Sequence, residues 1–150
     1  MDGDGSHQLS DLKSMLRYSD ENPEVELIIG SRWIADGAIE NWSKFREILS
    51  RTANRYTQLM LQLGVRDATA GFRIYKTALI TRMKVNEVKS EGYCFQIEMT
   101  RAAQSAQALI AEFPITFKER ETGSSKMSSR IVAEAMLRVT IWGFQRIFTA

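Results

Sequence analysis

With 150 residues, 44% of them hydrophobic and 25% charged, the chain has the size and composition of one globular domain around one core, and not those of a disordered tail. Twenty Lys and Arg against eighteen Asp and Glu leave a formal charge of +2, too balanced for a nucleic-acid partner. A single cysteine, Cys94, excludes an internal disulfide framework, and no run approaches the roughly eighteen apolar residues of a membrane span.

The chain opens on "MDGDGSHQ". In an extended or turn segment residues i and i+2 point the same way, so Asp2 and Asp4 can present two carboxylates to one divalent cation, or form a solvated turn. A calcium loop is excluded, because its glycine position holds His7 and its twelfth position Lys13. His7 has no second histidine or cysteine near it, and takes no ligand role.

Leu9, Leu12 and Leu16 predict an amphipathic helix over 9–19, and "VELIIGSR" a strand ending at Gly30, with Arg32 just beyond its carboxyl end. That edge is where open α/β folds bind ligands; a surface arginine is the alternative. Asn41 or Ser43 caps a long helix with the stripe Phe45, Ile48, Leu49, Ala53, Tyr56, Met60 and Leu63, stopped by Gly64. Trp42, Lys44 and Arg46 sit at its start, where backbone amides favour an anion; alternatively Trp42 folds back as a hydrophobic staple.

"GFRIYK" reads as a short strand, in which Arg73 needs either Asp67 or a ligand phosphate as partner, Asp67 being the favoured choice. "TALITRM" gives one or two helical turns, and "YCFQIEMTRAAQSA" a helix with Phe95, Met99, Ala102 and Ala106 inward. Gln96 and Glu98 lie on it, Glu98 as a general base or a solvated residue. "ALIAEFPITF" is a strand broken by Pro114, which belongs at an edge or a strand end. In "KERETGSSKMSSR", Arg120, Ser125 and Lys126 lie in a polar stretch that either folds over a pyrophosphate or remains a plain loop. The last helix, about 129–148, carries two apolar stripes: Ile131, Ala135, Val139 and Trp142, then Leu137, Ile141, Phe144 and Phe148. A helix on one core needs one stripe, so the second suits a membrane surface, a following segment or a partner chain. About three strands alternate with helices, an α/β pattern that looks incomplete.

Taken in order, "MDGDGSHQ", "IIGSRW", "ENWSKFREILSR", "GVRDATAGFRIY", "SEGYCFQIEM" and "PITFKERETGSSKMS" resemble the polyprenol-phosphate mannosyltransferases, the dolichol-phosphate mannose synthase group of inverting GT-A glycosyltransferases (family 2). The resemblance covers nearly the whole chain and implies an incomplete GT-A (Rossmann-like) domain over 1–150, a mixed sheet flanked by helices with a C-terminal amphipathic helix. It departs from the family pattern at Gly5 and Leu9. Asp2 and Asp4 would be the Asp-x-Asp motif holding Mg²⁺ or Mn²⁺ against a pyrophosphate. Arg32, Ser43, Arg46, Arg120, Ser125 and Lys126 would gather around the donor and acceptor phosphates, Asp67 and Arg73 would brace them, and Gln96 and Glu98 occupy the stretch where related transferases keep a catalytic carboxylate.

The implied reaction is transfer of mannose from GDP-mannose to polyprenyl or dolichyl phosphate with inversion, by a peripheral enzyme on the cytoplasmic face of a membrane, with a spanning tail or partner possible. In the family the acidic motif closes a nucleotide-binding half, so roughly sixty residues are expected upstream of Met1, and little turnover is expected of residues 1–150 alone. A related transferase using UDP-glucose, and a noncatalytic membrane-surface or partner-binding module, are the competing expectations.

Overall fold

The computed structural model describes residues 5–119 and 129–149, without the side chains of 129–131 and 147–149. Strand β1 (Leu27–Ser31) is buried along its whole length and is the central strand of a three-stranded mixed sheet. It pairs antiparallel with β3 (Arg73–Tyr75) and parallel with β4 (Ile110–Pro114), in a register that sets Leu27 against both Tyr75 and Ile110.

The apolar run explains the burial. Alternate residues of a strand face opposite sides, so Leu27 and Ile29 enter one cluster with Leu61, Ile97 and Val139, while Ile28 enters another with Met15, Phe72 and Ile115. Helix α1 (Leu9–Glu21) supplies Met15, its one fully buried side chain, to the second cluster. Helices α2 (Lys44–Leu61), α3 (Thr77–Arg82), α4 (Gly92–Ser105) and α5 (Ser129–Thr149) supply the first. The result is the expected α/β architecture, a mixed sheet with helices on both faces, consistent with part of a GT-A-like fold.

Strand β2 (Ala38–Glu40) escaped the sequence reading, and the part of "ALIAEFPITF" after Pro114 proves to be a strand of its own, in a second sheet. β2 pairs in parallel with that strand, β5 (Thr116–Lys118), and is too short for alternation to reveal. Pro114 stands where expected, at the end of edge strand β4 opposite Ser31; the chain then buries Ile115 and resumes as β5.

Helix α2 corrects two expectations. It stops at Gln62, which takes the left-handed conformation at φ 49°, and not at Gly64. Its buried residues are Ser50, Asn54, Thr57 and Leu61, spaced by four, three and four, while Phe45 is 77% and Ile48 64% exposed. The face turned inward is therefore largely polar. On α4 the buried set is Cys94, Ile97, Met99, Thr100 and Ala103, with Phe95, Ala102 and Ala106 only partly covered.

Helix α5 keeps both stripes among its described side chains. Val139 is fully buried and Trp142 packs against the core, while Leu137, Ile141 and Phe144 stay exposed. Ile131 and Phe148 lie outside the described side chains. Among the described residues no helix is long and apolar enough to cross a membrane.

Helices α2 and α5 run side by side, joined by a 2.6 Å hydrogen bond between the Tyr56 and Thr140 hydroxyls and by the close approach of Gly143 to Met60. A Cβ at 143 would stand 2.7 Å from Met60 Cε and 3.2 Å from the Met60 carbonyl oxygen. The thioether end can swing away but the carbonyl cannot. Gly143→Ala is thus expected to stay within about 1 kcal/mol of the wild type, its gain in helix propensity offsetting the contact. Gly143→Leu should lose about 1–3 kcal/mol by overpacking. Thermal unfolding of both variants checks this, and a leucine variant as stable as the parent would contradict it.

Candidate active site

Arg32 leaves the sheet one residue past β1, at its carboxyl edge, and meets Asp67 from the loop between α2 and β3. The pair is bidentate: Arg32 Nε donates to Asp67 Oδ2 and Nη2 to Oδ1, each at 2.7 Å, and the Arg32 backbone N–H donates to Oδ2 at 3.0 Å. Asp67 is fully buried and Arg32 only 7% exposed. Burial pulls the Arg32 pKa down, and the charge and hydrogen bonds of Asp67 more than reverse this, holding the guanidinium above its ordinary value.

The pair is braced on both sides. Glu112 of β4 accepts from the backbone N–H groups of Arg66 (2.8 Å) and Asp67 (3.0 Å). The Thr69 hydroxyl accepts from Arg32 Nη2 and from Asn54 Nδ2, both at 3.1 Å, and donates to Asp67 Oδ1 at 3.3 Å, which uses its full capacity. Asn54 reaches it from the polar face of α2 and also accepts from the Thr69 backbone N–H at 3.3 Å. Gly37 closes the loop after Arg32: a Cβ there would lie 2.7 Å from Ser31 O and 2.9 Å from the Arg32 carbonyl carbon, so only glycine lets the chain pass this close.

The expected pairing of Arg73 with Asp67 is overturned. Arg73 donates instead to the carbonyls of Ala68 (2.8 Å), Ala70 (2.7 Å) and Gln96 (3.0 Å), and to the hydroxyls of Tyr75 and Thr100. Standing within β3 opposite Ile29, its side chain is directed at α4, whereas Arg32 lies beyond the strand end and meets the loop. Arg73 ties that loop to α4.

Beside this network lies an aromatic cluster. Trp33 and Trp42 stand 6.3 Å apart between ring centres, and Trp42 and Phe117 of β5 stand 5.6 Å apart, both edge-on. Cations cover the rings: the Arg46 guanidinium carbon is 4.0 Å from the Trp42 centre, that of Arg51 is 4.3 Å from Trp33, and that of Arg32 is 5.3–5.7 Å from all three. Ser43 caps α2 as expected, its hydroxyl accepting from the Arg46 N–H at 3.3 Å. Arg46 also forms an ion pair with Glu119. Both arginines expected to face phosphates, Arg32 and Arg46, therefore already hold a carboxylate.

Among the described residues three buried donors in this cluster have no acceptor: Trp33 Nε1, Trp42 Nε1 and Arg46 Nε. Each such group costs about 1–3 kcal/mol. The segment following the acidic pair runs along the same cluster. His7 bridges to Phe117, its ring 5.3 Å from the Phe117 ring, and the Lys118 N–H donates to Ser6 O at 3.1 Å. Asp2, Asp4, Arg120, Ser125 and Lys126 lie outside the described residues. Among the described residues no three His, Cys, Asp or Glu gather to hold a metal ion.

Gln96 and Glu98 do not share a face of α4. Two positions apart on α4, they point to nearly opposite sides. Gln96 lies toward Gly71, where a Cβ would be 3.7 Å from its Nε2, and the Glu98 carboxylate accepts from the Ser90 N–H at 3.0 Å. Glu98 is thus bound to the loop that precedes its own helix. Between α2, α4 and α5 lies a largely apolar cleft, lined by Asn54 and Thr57 of α2, Tyr93 and Ile97 of α4 and Val132 and Met136 of α5.

Sequence reasoning missed Asn54, Thr69, Glu112, Phe117 and Glu119. The recurrence of Ser50, Asn54 and Thr57 at helical spacing was the available signal for the first; Glu112, a lone acid in an apolar strand, was the signal for the third.

No protein-family model matches the chain. It is 42% identical over 145 residues to a polyprenol monophosphomannose synthase of Mycolicibacterium smegmatis, an alignment covering 97% of this chain and 54% of that protein. It is 41% identical over 143 residues to an undecaprenyl-phosphate mannosyltransferase of Micrococcus luteus, covering 95% of this chain and 58% of that protein. The chain spans just over half the length of these curated relatives.

Proposed function

We propose, on the premise that the chain is homologous to polyprenol-phosphate mannosyltransferases over nearly its whole length, that it provides the phosphate-handling part of an enzyme transferring mannose from GDP-mannose to a polyprenyl phosphate. The observation that carries this reading is the convergence of Arg32, Arg46 and the segment after Asp4 on one aromatic cluster. A phosphate entering there meets cations, the N-terminal amides of α2 and buried N–H donors.

The acceptor is a phosphate monoester, already ionised at neutral pH, so its oxygen needs no strong base. That oxygen forms the new bond to the anomeric carbon while the bond from that carbon to the GDP oxygen breaks, GDP leaving with the electron pair; in-line displacement inverts the carbon. Arg46, with Arg120, Ser125 and Lys126, orients and neutralises the phosphates. Arg32 is a positioning residue, its charge spent on Asp67, and fixes the loop that carries Thr69. Asp2 and Asp4 are the residues that would hold Mg²⁺ or Mn²⁺, whose charge would stabilise the pyrophosphate when bound. Gln96 and Glu98 would stand on the sugar side of the site, with Glu98 also holding the loop before α4 through the Ser90 N–H.

The exposed Phe45, Ile48 and Leu59 of α2 and Leu137, Ile141 and Phe144 of α5 would rest on the membrane, bringing the enzyme to its lipid acceptor as a peripheral protein on the cytoplasmic face. The test uses the complete gene product in detergent with undecaprenyl phosphate and either labelled GDP-mannose or labelled UDP-glucose. The expected result is mannose in the lipid fraction, abolished by EDTA and restored by Mg²⁺ or Mn²⁺. Glucose transfer without mannose transfer would replace the donor assignment, and lipid binding without transfer of either sugar would favour a noncatalytic membrane module.

A further inference from the structure

The inward face of α2 is an unusual seat for a helix. Of its buried residues, Ser50, Asn54, Thr57 and Leu61, only the last is apolar, and the adjoining cleft leaves part of that face without packing. Interdigitated apolar side chains normally fix how far a helix slides or turns on its neighbours. On the side of α2 that faces the loop before β3 they are scarce, and a polar contact takes their place.

Asn54, only 2% exposed, holds Thr69 at two points. Its Oδ1 accepts from the Thr69 backbone N–H at 3.3 Å, and its Nδ2 donates to the Thr69 hydroxyl at 3.1 Å and to the Ser50 carbonyl at 3.0 Å. A backbone N–H can only donate and a carbonyl only accept, so the amide has one orientation. The Thr69 hydroxyl gives its proton to Asp67 and accepts from Arg32 and Asn54, which leaves it nothing to offer α2 in a shifted position. Sliding α2 by one turn, about 5 Å, would strip the contact entirely. A buried asparagine used in this way fixes register more than it adds stability, as at the seam of a coiled coil.

The register sets the separation of two arginines. Arg32 belongs to the sheet side, bound to Asp67, whose own backbone N–H is held by Glu112 of β4. Arg46 belongs to α2, eight residues before Asn54 and so about 12 Å along the axis. The two guanidinium groups meet at the Trp42 ring, 5.5 and 4.0 Å from its centre. We propose that Asn54 and Thr69 are positioning residues, a clasp that fixes the register of α2 against the sheet and thereby the placement of Arg46 relative to Arg32. The proposal rests on the transferase reading only for its kinetic consequence.

The test uses the complete gene product and follows the indole ¹H–¹⁵N signals of Trp33, Trp42 and Trp142, assigned by Trp→Phe substitution. Wild type and Thr69→Ser, which keeps the hydroxyl, are expected to give one Trp42 signal. Asn54→Leu and Thr69→Val are expected to split or broaden it as α2 takes more than one seat, while the melting temperature stays within about 5 °C of wild type. Mannose transfer should fall by about tenfold in kcat, with the KM for GDP-mannose within about twofold, and Thr69→Ser should restore it. The double variant should be no worse than Asn54→Leu, because both changes open the same clasp. Should Asn54→Leu fail to fold, Thr69→Val, a methyl for a hydroxyl of the same shape, carries the comparison. An unsplit Trp42 signal, an unchanged kcat in the variants, or losses that multiply in the double would overturn the proposal. Splitting in a protein whose wild type transfers no mannose would leave the clasp standing and defeat the transferase reading; full transfer with an unsplit signal would do the reverse.

Discussion

Asp67→Ala is expected to destabilise the protein by about 3–5 kcal/mol, because it leaves a guanidinium buried without its counter-charge. Arg32 is too enclosed to regain hydration, with Trp33, Trp42 and Phe117 around it. The same change removes the acceptor of the Arg32 backbone N–H and of the Thr69 hydroxyl, so the loop from Arg66 to Thr69 loses its anchor. Asp67→Asn keeps one acceptor and should cost less. Replacing both partners, as in Arg32→Met with Asp67→Leu, should recover a large part of the loss, since no unpaired charge remains. Urea unfolding of the singles and the double gives the comparison. A single alanine variant within 1 kcal/mol of wild type would show that the buried pair does not hold this loop.

Arg46→Gln is expected to leave the fold intact and lower mannose transfer by about 100-fold, the size of effect seen when one preorganised donor to a developing charge is removed. Its stability cost is small because the pair with Glu119 is partly open to water. The loss should fall mainly on kcat, since the guanidinium is asked to align and neutralise oxygens in the transition state. Arg46→Lys keeps the charge but loses the planar fork and the stack on Trp42, and should retain an intermediate activity, about tenfold below wild type. Steady-state kinetics with GDP-mannose and undecaprenyl phosphate check this, alongside circular dichroism for the fold. Equal activity of all three proteins would remove Arg46 from the chemistry.

Those two arginines also show where sequence reading succeeds and where it stops. Local rules found the position of each: the end of an apolar strand for Arg32 and the first turn of a capped helix for Arg46. Ser43 as cap, Pro114 as strand end and the two stripes of α5 are likewise written in short stretches. The partners are not. Asp67 is 35 residues from Arg32, and nothing in spacing chooses between Arg32 and Arg73 as its mate. That choice follows from the β1–β3 register, which turns Arg73 toward α4 and leaves Arg32 beyond the strand.

The polar inward face of α2 was hidden for a related reason. Hydrophobic periodicity assumes that the buried face is the apolar one, and here Ser50, Asn54 and Thr57 are buried because Thr69 and the adjoining cleft lie opposite them. Phe45 and Ile48 are left outside, so α2 turns polar side chains inward and an apolar stripe outward.

The acidic pair and the arginine–tryptophan cluster are expected to belong to a single site. Mn²⁺ tests it most directly, as a paramagnetic ion titrated into the complete gene product while the three indole signals are followed. Broadening of Trp33 and Trp42 well before Trp142, abolished in the Asp2→Ala, Asp4→Ala double variant, is the predicted result. Broadening of all three alike, or broadening that survives the double variant, would contradict it.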